Sequence, residues 1–316
     1  MENNIVIKKE KEKEKSNRRP GRPRIQVVNT KDIILGVREQ ANNEKNHMEL
    51  IYNDPKLFKK IISIFKGYFV DDIFIAFNSD NIQILSSDNT KKTIIKIVIN
   101  CNKINEYYCR KNFEISVKRE YLEKIFNTIE KQHNKIIFYS DKDTYLSTLH
   151  INLLNDELGI NDNYVIDLTL KPNLEKNLNT NIDLIVKEDY LLQFKLQSKI
   201  FKKFVNDSIN NSKLLKIEKY GNEPLKFKMT INNKVAFTRI FKAEEKFDIK
   251  SKLRANEYFN INLEIDSIKP FSNINVSNYV NIYLDNDKKA IFEANVNNDI
   301  CIISIYNEIL TLVSNE

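Results

Sequence analysis

The sequence predicts an α+β protein of two tandem, similarly ordered units, in which antiparallel strands carry a few amphipathic helices. Three observations lead there. The segment Lys56-Leu-Phe-Lys-Lys60-Ile-Ile-Ser63 recurs 143 positions later as Lys199-Ile-Phe-Lys-Lys203-Phe-Val-Asn206. Short β-forming runs flank both copies, and the order strand, helix, several strands, helix, several strands occurs twice. In each copy the apolar residues (Leu57, Phe58, Ile61, Ile62, Phe65; Ile200, Phe201, Phe204, Val205) fall at i, i+3, i+4 spacing and leave the lysines on the opposite surface. Two readings stay open: ordinary amphipathic surface helices of a Lys-rich chain, or a duplicated unit presenting matched positive faces to a polyanion such as nucleic acid.

Length and composition set the bounds. A chain of 316 residues with 41% hydrophobic content can bury a sizeable core and suggests about two domains. Lys, Asn and Ile are abundant, Gly numbers 5 and Trp is absent, a bias resembling that of an AT-rich genome, so single Lys or Asn residues carry little information. Cys101, Cys109 and Cys301 are few and odd in number, which argues for buried thiols in a reducing compartment and against a disulfide framework. No run approaches the roughly 18 apolar residues of a membrane span, and the N-terminus opens with charges, so a soluble, intracellular protein is expected. Residues 1–24 hold nine Lys or Arg against four Glu, a net +5 of the chain's +7 that leaves only +2 for the other 292 residues. Any affinity of the folded body for nucleic acid must therefore come from segregating lysines onto one surface.

Residues 1–46 lack hydrophobic periodicity and contain an alternating Lys/Glu run, which predicts a disordered basic arm. Within it, Arg18-Arg19-Pro20-Gly21-Arg22-Pro23-Arg24 resembles an AT-hook, whose Gly-Arg-Pro centre lies extended in an A·T minor groove. Pro20 and Pro23 stiffen the backbone, Gly21 permits close approach and Arg22 is the inserted cation. Pro20 stands where the motif usually has its first Arg; a nuclear-localisation patch and a basic tail are the other readings.

The remaining elements follow in order. Met48–Tyr52 reads as a strand, Asp54-Pro55 opens the first Lys-faced helix to about Phe69, and Asp71–Phe77, Asn81–Ser86 and Thr93–Asn100 read as strands. Tyr107–Val117 is expected as one strand, Arg119–Glu130 as a second amphipathic helix, and Lys135–Ser140, Thr144–Leu153 and Tyr164–Leu168 as strands. Lys171–Thr180, with Pro172 and several Asn, reads as a linker, giving domains at 47–168 and 182–316 joined by a connector at 169–181. In the second unit, Ile182–Leu196 supplies strand material and Lys199–Ile209 the repeated helix, followed by strands at Leu214–Lys219, Leu225–Ile231 and Val235–Phe241. After a charged loop at Glu244–Lys250 come a strand at Tyr258–Leu263, a short helix or turn at Asp266–Phe271, and strands at Tyr279–Leu284, Ala290–Asn295 and Ile300–Tyr306.

Over residues 47–310 the pattern resembles a DNA sliding clamp of the proliferating cell nuclear antigen (PCNA) family. Asn81-Ile-Gln-Ile-Leu-Ser-Ser-Asp88 resembles the stretch after that family's first strand pair. Glu106-Tyr-Tyr-Cys-Arg-Lys-Asn112, followed by Phe113–Val117 and a helix, resembles its Tyr-x-Cys-x-x-Asn strand. The resemblance implies two tandem clamp domains that close into a six-domain ring, usually three chains, with sheets outside and helices lining the hole. The lining would carry Lys56, Lys59, Lys60, Lys66, Lys118, Arg119, Lys124, Lys199, Lys202, Lys203 and Lys213 against double-stranded DNA, touching phosphates without reading bases. The subunit joint would pair an edge strand with Tyr164 and Ile166 to one with Val235 and Phe237. Leu168, Leu170, Leu174 and Leu178 of the connector, with Ile303 and Ile305 of the last strand, would hold partner peptides. Here the pattern departs from the family, because the neighbouring loop reads Ser87, Lys91 and Lys92, and Ser304 stands where aromatic residues are usual.

The chain carries little that reads as an enzyme. Gly21, Gly36, Gly67, Gly159 and Gly221 are scattered and none opens a phosphate loop; His47, His133 and His150 lack metal-ligand spacing; Asp71-Asp72 and Glu244-Glu245 are adjacent and poor as shared metal sites. No catalytic residue, metal or cofactor is expected. The first functional reading is a homotrimeric clamp that tethers a DNA polymerase and needs an ATP-driven clamp loader. The second is a clamp-fold scaffold outside a ring, such as a viral late-transcription or processivity factor, held on DNA by its arm. Either would work in a nucleus or a cytoplasmic viral factory.

Overall fold

A computed structural model describes residues 46–65, 72–168, 182, 185–209, 212–231, 234–242, 249–270, 277–287, 289–296 and 299–308. The arm, the connector at 169–181 and the expected continuation of the first helix to Phe69 lie outside the described residues.

In the first half, β1 (Asn46–Tyr52) leads to α1 (Pro55–Ile62), which Pro55 opens at a position where no backbone N–H is needed. A tight 3-10 turn, Ser63–Phe65, continues it. Strands β2 (Asp72–Phe77), β3 (Asn81–Ser87) and β4 (Thr93–Asn100) follow, then a short β5 (Glu106–Cys109) and β6 (Phe113–Lys118). Helix α2 (Arg119–Asn127) precedes β7 (Lys135–Asp141), β8 (Thr148–Asn155) and β9 (Ile160–Asp167). The second half runs β10 (Leu192–Gln197), α3 (Ser198–Ile209), β11 (Leu214–Tyr220), β12 (Leu225–Ile231), β13 (Lys234–Phe241), β14 (Ile249–Ser251) and β15 (Tyr258–Glu264). It closes with α4 (Ile265–Ile268), β16 (Tyr279–Leu284), β17 (Ala290–Val296) and β18 (Cys301–Asn307).

The halves match element for element, and so does their pairing. Sheet order β5-β1-β7-β8-β9 in the first half is repeated as β14-β10-β16-β17-β18 in the second, and β4-β3-β2-β6 as β13-β12-β11-β15. One antiparallel joint welds the halves: β18 pairs with β4 over Cys301↔Ile99 to Asn307↔Thr93, making a nine-stranded sheet across the duplication. The equivalents of those two strands, β9 and β13, end the five-stranded and four-stranded sheets, each with one neighbour among the described residues.

Strand alternation sorts the side chains into two faces. Ile73, Ile75, Ile84, Ile95, Ile97, Phe292, Ile303 and Ile305 point to the helix side, where they form one continuous core with Leu57, Phe58, Ile61, Leu122, Phe126, Phe201, Phe204 and Ile268 of the helices. The opposite face of the nine-stranded sheet carries a second cluster of Leu85, Ile94, Ile291 and Tyr306, covered by Ile182 and the fully buried Tyr190.

Three sequence expectations are corrected. Tyr107–Val117 is two strands in different sheets, because Arg110–Asn112 turns the chain and lets β5 pair with β1 while β6 pairs with β2. Residues 144–147 form turns, so β8 starts only at Thr148. Among the described residues of Ile182–Leu196, only Leu192–Leu196 is strand; Lys187–Asp189 is a 3-10 turn whose apolar neighbours cover the second cluster.

Candidate nucleic-acid interface

The repeated helices do place lysines away from the core, but the lysines differ in what they touch. In α1, Lys56 and Lys60 are exposed; in α3, so are Lys199 and Lys203. Lys118 at the start of α2 and Lys213 before β11 are exposed as well. None of these six has an ion pair among the described residues. Lys66 lies outside them.

The other expected DNA contacts are engaged within the chain. Lys59 is half-buried and its Nζ donates to the carbonyls of Ile129, at 2.8 Å, and Asn127, at 3.2 Å, at the C-terminal end of α2. It therefore acts as a cation at a helix end, where the unsatisfied carbonyls and the helix dipole favour positive charge. Its position explains why: Pro55 four residues before and Ile62 three residues after are buried, which places Lys59 on the border of the apolar stripe. Lys202 is half-buried and also engaged within the chain. On α2, Arg119 Nη1 pairs with Glu123 Oε1 at 3.0 Å, and Lys124 Nζ lies 3.8 Å from Glu120 Oε2, both at i, i+4 spacing. These carboxylates offset the helix's own cations, so α2 presents little net positive charge apart from Lys118.

The strand edges carry a different chemistry. On β9, Tyr164 Oη lies 3.0 Å from Thr128 Oγ1 and Ile166 is buried in the core. Asp162 Oδ2 lies 3.2 Å from His133 Nε2, while the backbone N–H of Glu130 donates to His133 Nδ1, which assigns the imidazole proton to Nε2. Val165 on the other face is 60% exposed. On β13, Phe237 is 38% and Ile240 54% exposed, and the Arg239 guanidinium lies 5.6 Å from the Phe237 ring and 6.0 Å from that of Phe204. The side chain of Val235 lies outside the described residues. Arg239 has no carboxylate partner among the described residues, and one basic residue in a β-run has no signature in the sequence.

The expected partner pocket is also revised. Ile303 and Ile305 are fully buried on the helix side of β18 and cannot line an outer groove. Leu168 is half-buried against the core, with its N–H donated to Ser147 O, and Leu170, Leu174 and Leu178 lie outside the described residues. What occupies the outer face is the chain's own cover: Tyr190 Oη donates to Lys289 O at 2.8 Å, Lys187 Nζ bonds Glu293 Oε2, and Ser304 Oγ bonds the same carboxylate oxygen at 3.3 Å.

Among the described residues, no group of three or more His, Cys, Asp or Glu is placed to hold a metal ion, and no helix is long and apolar enough to cross a membrane. Comparison with known proteins then bears on the family. Residues 47–171 match the sequence model of the proliferating cell nuclear antigen N-terminal domain. An uncharacterized protein of African swine fever virus, from a Malawi tick isolate, is 26% identical over 281 residues, covering 88% of this chain and 93% of the relative. Its counterpart from a Kenyan pig isolate gives the same identity and coverage. The crystal structure of proliferating cellular nuclear antigen from Entamoeba histolytica superposes with a TM-score of 0.67 at 14% identity, covering 84% of this chain and all of that one. The chain therefore has the PCNA-like fold of two tandem clamp domains, with a match to the PCNA N-terminal domain over its first half and homology to the African swine fever virus protein over most of both lengths.

Proposed function

We propose that this chain is a DNA sliding clamp, a ring whose hold on duplex DNA is topological and whose helices face the phosphates. The observation that carries the reading is the internal duplication. The β18·β4 joint inside the chain leaves β9 and β13 as unjoined copies of the same two strands. A second chain can repeat the joint there, and a head-to-tail contact of this kind closes into a ring when its rotation allows. Closure leaves no free edge at these positions. The units are 47–168 and 182–316, with the connector at 169–181 between them.

Lys56, Lys60, Lys118, Lys199, Lys203 and Lys213, with Lys66, meet phosphates without reading bases, so sequence does not matter and salt weakens the contact. A DNA polymerase is the tethered partner and an ATP-driven loader opens the ring. The nucleus or a cytoplasmic viral factory is the site of action. Native mass by light scattering, followed by retention on DNA, tests the reading. A three-chain mass and retention on circular but not on linearised DNA is expected; a single-chain mass with equal retention on both refutes it. The basic cluster Arg18–Arg24 favours a second reading, a clamp-fold factor held on DNA by its arm. In that case Arg22→Ala abolishes binding, whereas a ring keeps its retention on circular DNA.

A further inference from the structure

The duplication does more than mark the two free edges, because its registers can be transferred residue by residue. On the β9 side, the core positions Leu50 and Phe194 are equivalent. They pair with Phe138 and Ile282, these with Ile151 and Phe292, and these with Tyr164 and Ile305. Tyr164 thus stands where Ile305 stands, and Asp162 where Ile303 stands. Four residues separate the last two strands of each half, 156–159 and 297–300, in agreement with that alignment.

The β13 side is anchored by the helix starts, α2 at Arg119 and α4 at Ile265, which make Ile115 and Ile261 equivalent. These pair with Ile75 and Ile217, these with Ile84 and Phe227, and these with Ile97 and Arg239. Arg239 therefore stands where Ile97 stands. Inside the chain, Ile303 and Ile97 face each other, as do Ile305 and Ile95.

We infer that two copies of this chain join with Asp162 of one opposite Arg239 of the next and Tyr164 opposite Phe237, so that an ion pair replaces the Ile303–Ile97 contact of the internal joint. The inference rests on the ring reading and specifies its joint. Its support is complementarity. Asp162 is already held at His133, Arg239 is already laid over Phe204 and Phe237, and both occupy the helix-side face of their strands. An Asp–Arg pair at this depth can form charge-assisted, forked hydrogen bonds, and it rejects a slipped register, which would leave each charge opposite an aromatic or apolar residue. The transfer ends at Phe237, because the β12–β13 register shifts between Met229 and Thr230 and leaves Ala236 as an extra residue. The same joint would cover the exposed Val165 of β9 and the exposed Phe237 and Ile240 of β13.

Two tests on the full chain are decisive together. Asp162→Arg and Arg239→Asp should each weaken assembly about tenfold or more, as like charges across a strand pair do, and the double swap should recover most of the wild-type mass at the same concentration. Independently of charge, Asn163→Cys with Thr238→Cys places two exposed, directly opposed residues within disulfide reach, so mild oxidation should link protomers. Asn163→Cys with Ile240→Cys, two residues out of register, should not. An assembled protein that cross-links only in the second variant, or whose double swap stays dissociated, overturns the register while leaving the ring intact. A single-chain mass for the wild type with neither variant cross-linking overturns the ring and the joint together.

Discussion

Replacing Lys59 by Gln separates the lysines that build the helix pair from those proposed to face DNA. The Lys59 ammonium makes two hydrogen bonds to the end of α2, at 2.8 and 3.2 Å. Hydrogen bonds to a charged group contribute about 1.5–3 kcal/mol and a cation at a helix end about 0.3–1 kcal/mol, against up to about 2 kcal/mol of lost lysine rotamer freedom. The net is about 2 kcal/mol. With an unfolding entropy near 2.1 cal/mol/K per residue, a chain of this length should lose about 3 °C in melting temperature. Lys60→Gln, one residue along and exposed, should change stability by less than about 0.5 kcal/mol. In a DNA-association assay on short linear duplexes at 25 °C the order reverses: Lys60→Gln weakens association and Lys59→Gln, still folded, does not. Thermal melts and association are measured on the same preparations. If Lys59→Gln melts like the wild type and loses DNA as Lys60→Gln does, the assignment of Lys59 to the α2 terminus is wrong.

Three further outcomes are expected. Changing Lys56, Lys60, Lys199 and Lys203 together to Gln should flatten the salt dependence of DNA association, by about 0.9 in the log–log slope for each phosphate contact removed, with little change in melting; an unchanged slope would place the DNA elsewhere. Tyr190→Phe should cost about 1 kcal/mol in urea unfolding through the lost bond to Lys289 O, and Tyr190→Ala about 3–5 kcal/mol by opening the outer cluster; equal costs would mean that Tyr190 does not fill it. Burial opposes the charge on Glu218, but hydrogen bonds from Lys216, Lys228 and Tyr258 outweigh it and hold the carboxyl at about 2. Because the folded value lies below the unfolded one, near 4.5, this group's contribution, on the order of 3 kcal/mol, is present above that pH and lost as pH falls toward 2; Glu218→Gln should flatten the acid limb of the stability profile, and an unaltered limb would refute the network.

The large features of the fold were legible because each rests on a local signal. The repeat at Lys56 and Lys199 put α1 and α3 in the right places, with starts at Pro55 and Ser198 that keep the offset of the two sequences. Strands with clear boundaries, such as Thr93–Asn100, Leu225–Ile231 and Tyr279–Leu284, were read to the residue. Misreadings arose where the deciding contact is remote. Nothing local separates β5 from β6, since the break at Arg110–Asn112 follows from β5 pairing with β1 some sixty residues upstream. Lys59 and Lys60 look alike in the sequence, and only the distant end of α2 distinguishes them. The face taken by Ile303 and Ile305 is not legible in the sequence, because strand parity has no absolute origin until a neighbour sets it, and here Ile97 and Ile95 set it toward the helices.

The observed internal joint and the proposed joint between chains differ in chemistry, and that difference has a physical logic. The internal joint forms within one chain, with no competing partner to exclude, and its helix side is apolar: Ile95, Ile97 and Ile99 face Ile305, Ile303 and Cys301. A joint between chains must form from separately folded molecules whose edges are wet until they meet. Isoleucines at those positions would leave an apolar strand edge on every free chain, which invites pairing in any register and with any partner. Asp162 and Arg239 keep each edge hydrated alone and favour a single alignment when paired, and Tyr164 retains its Thr128 contact at the same edge. In the proposed ring, strength is thereby traded for register at the seam between chains, while the apolar seam within the chain is left to the hydrophobic effect.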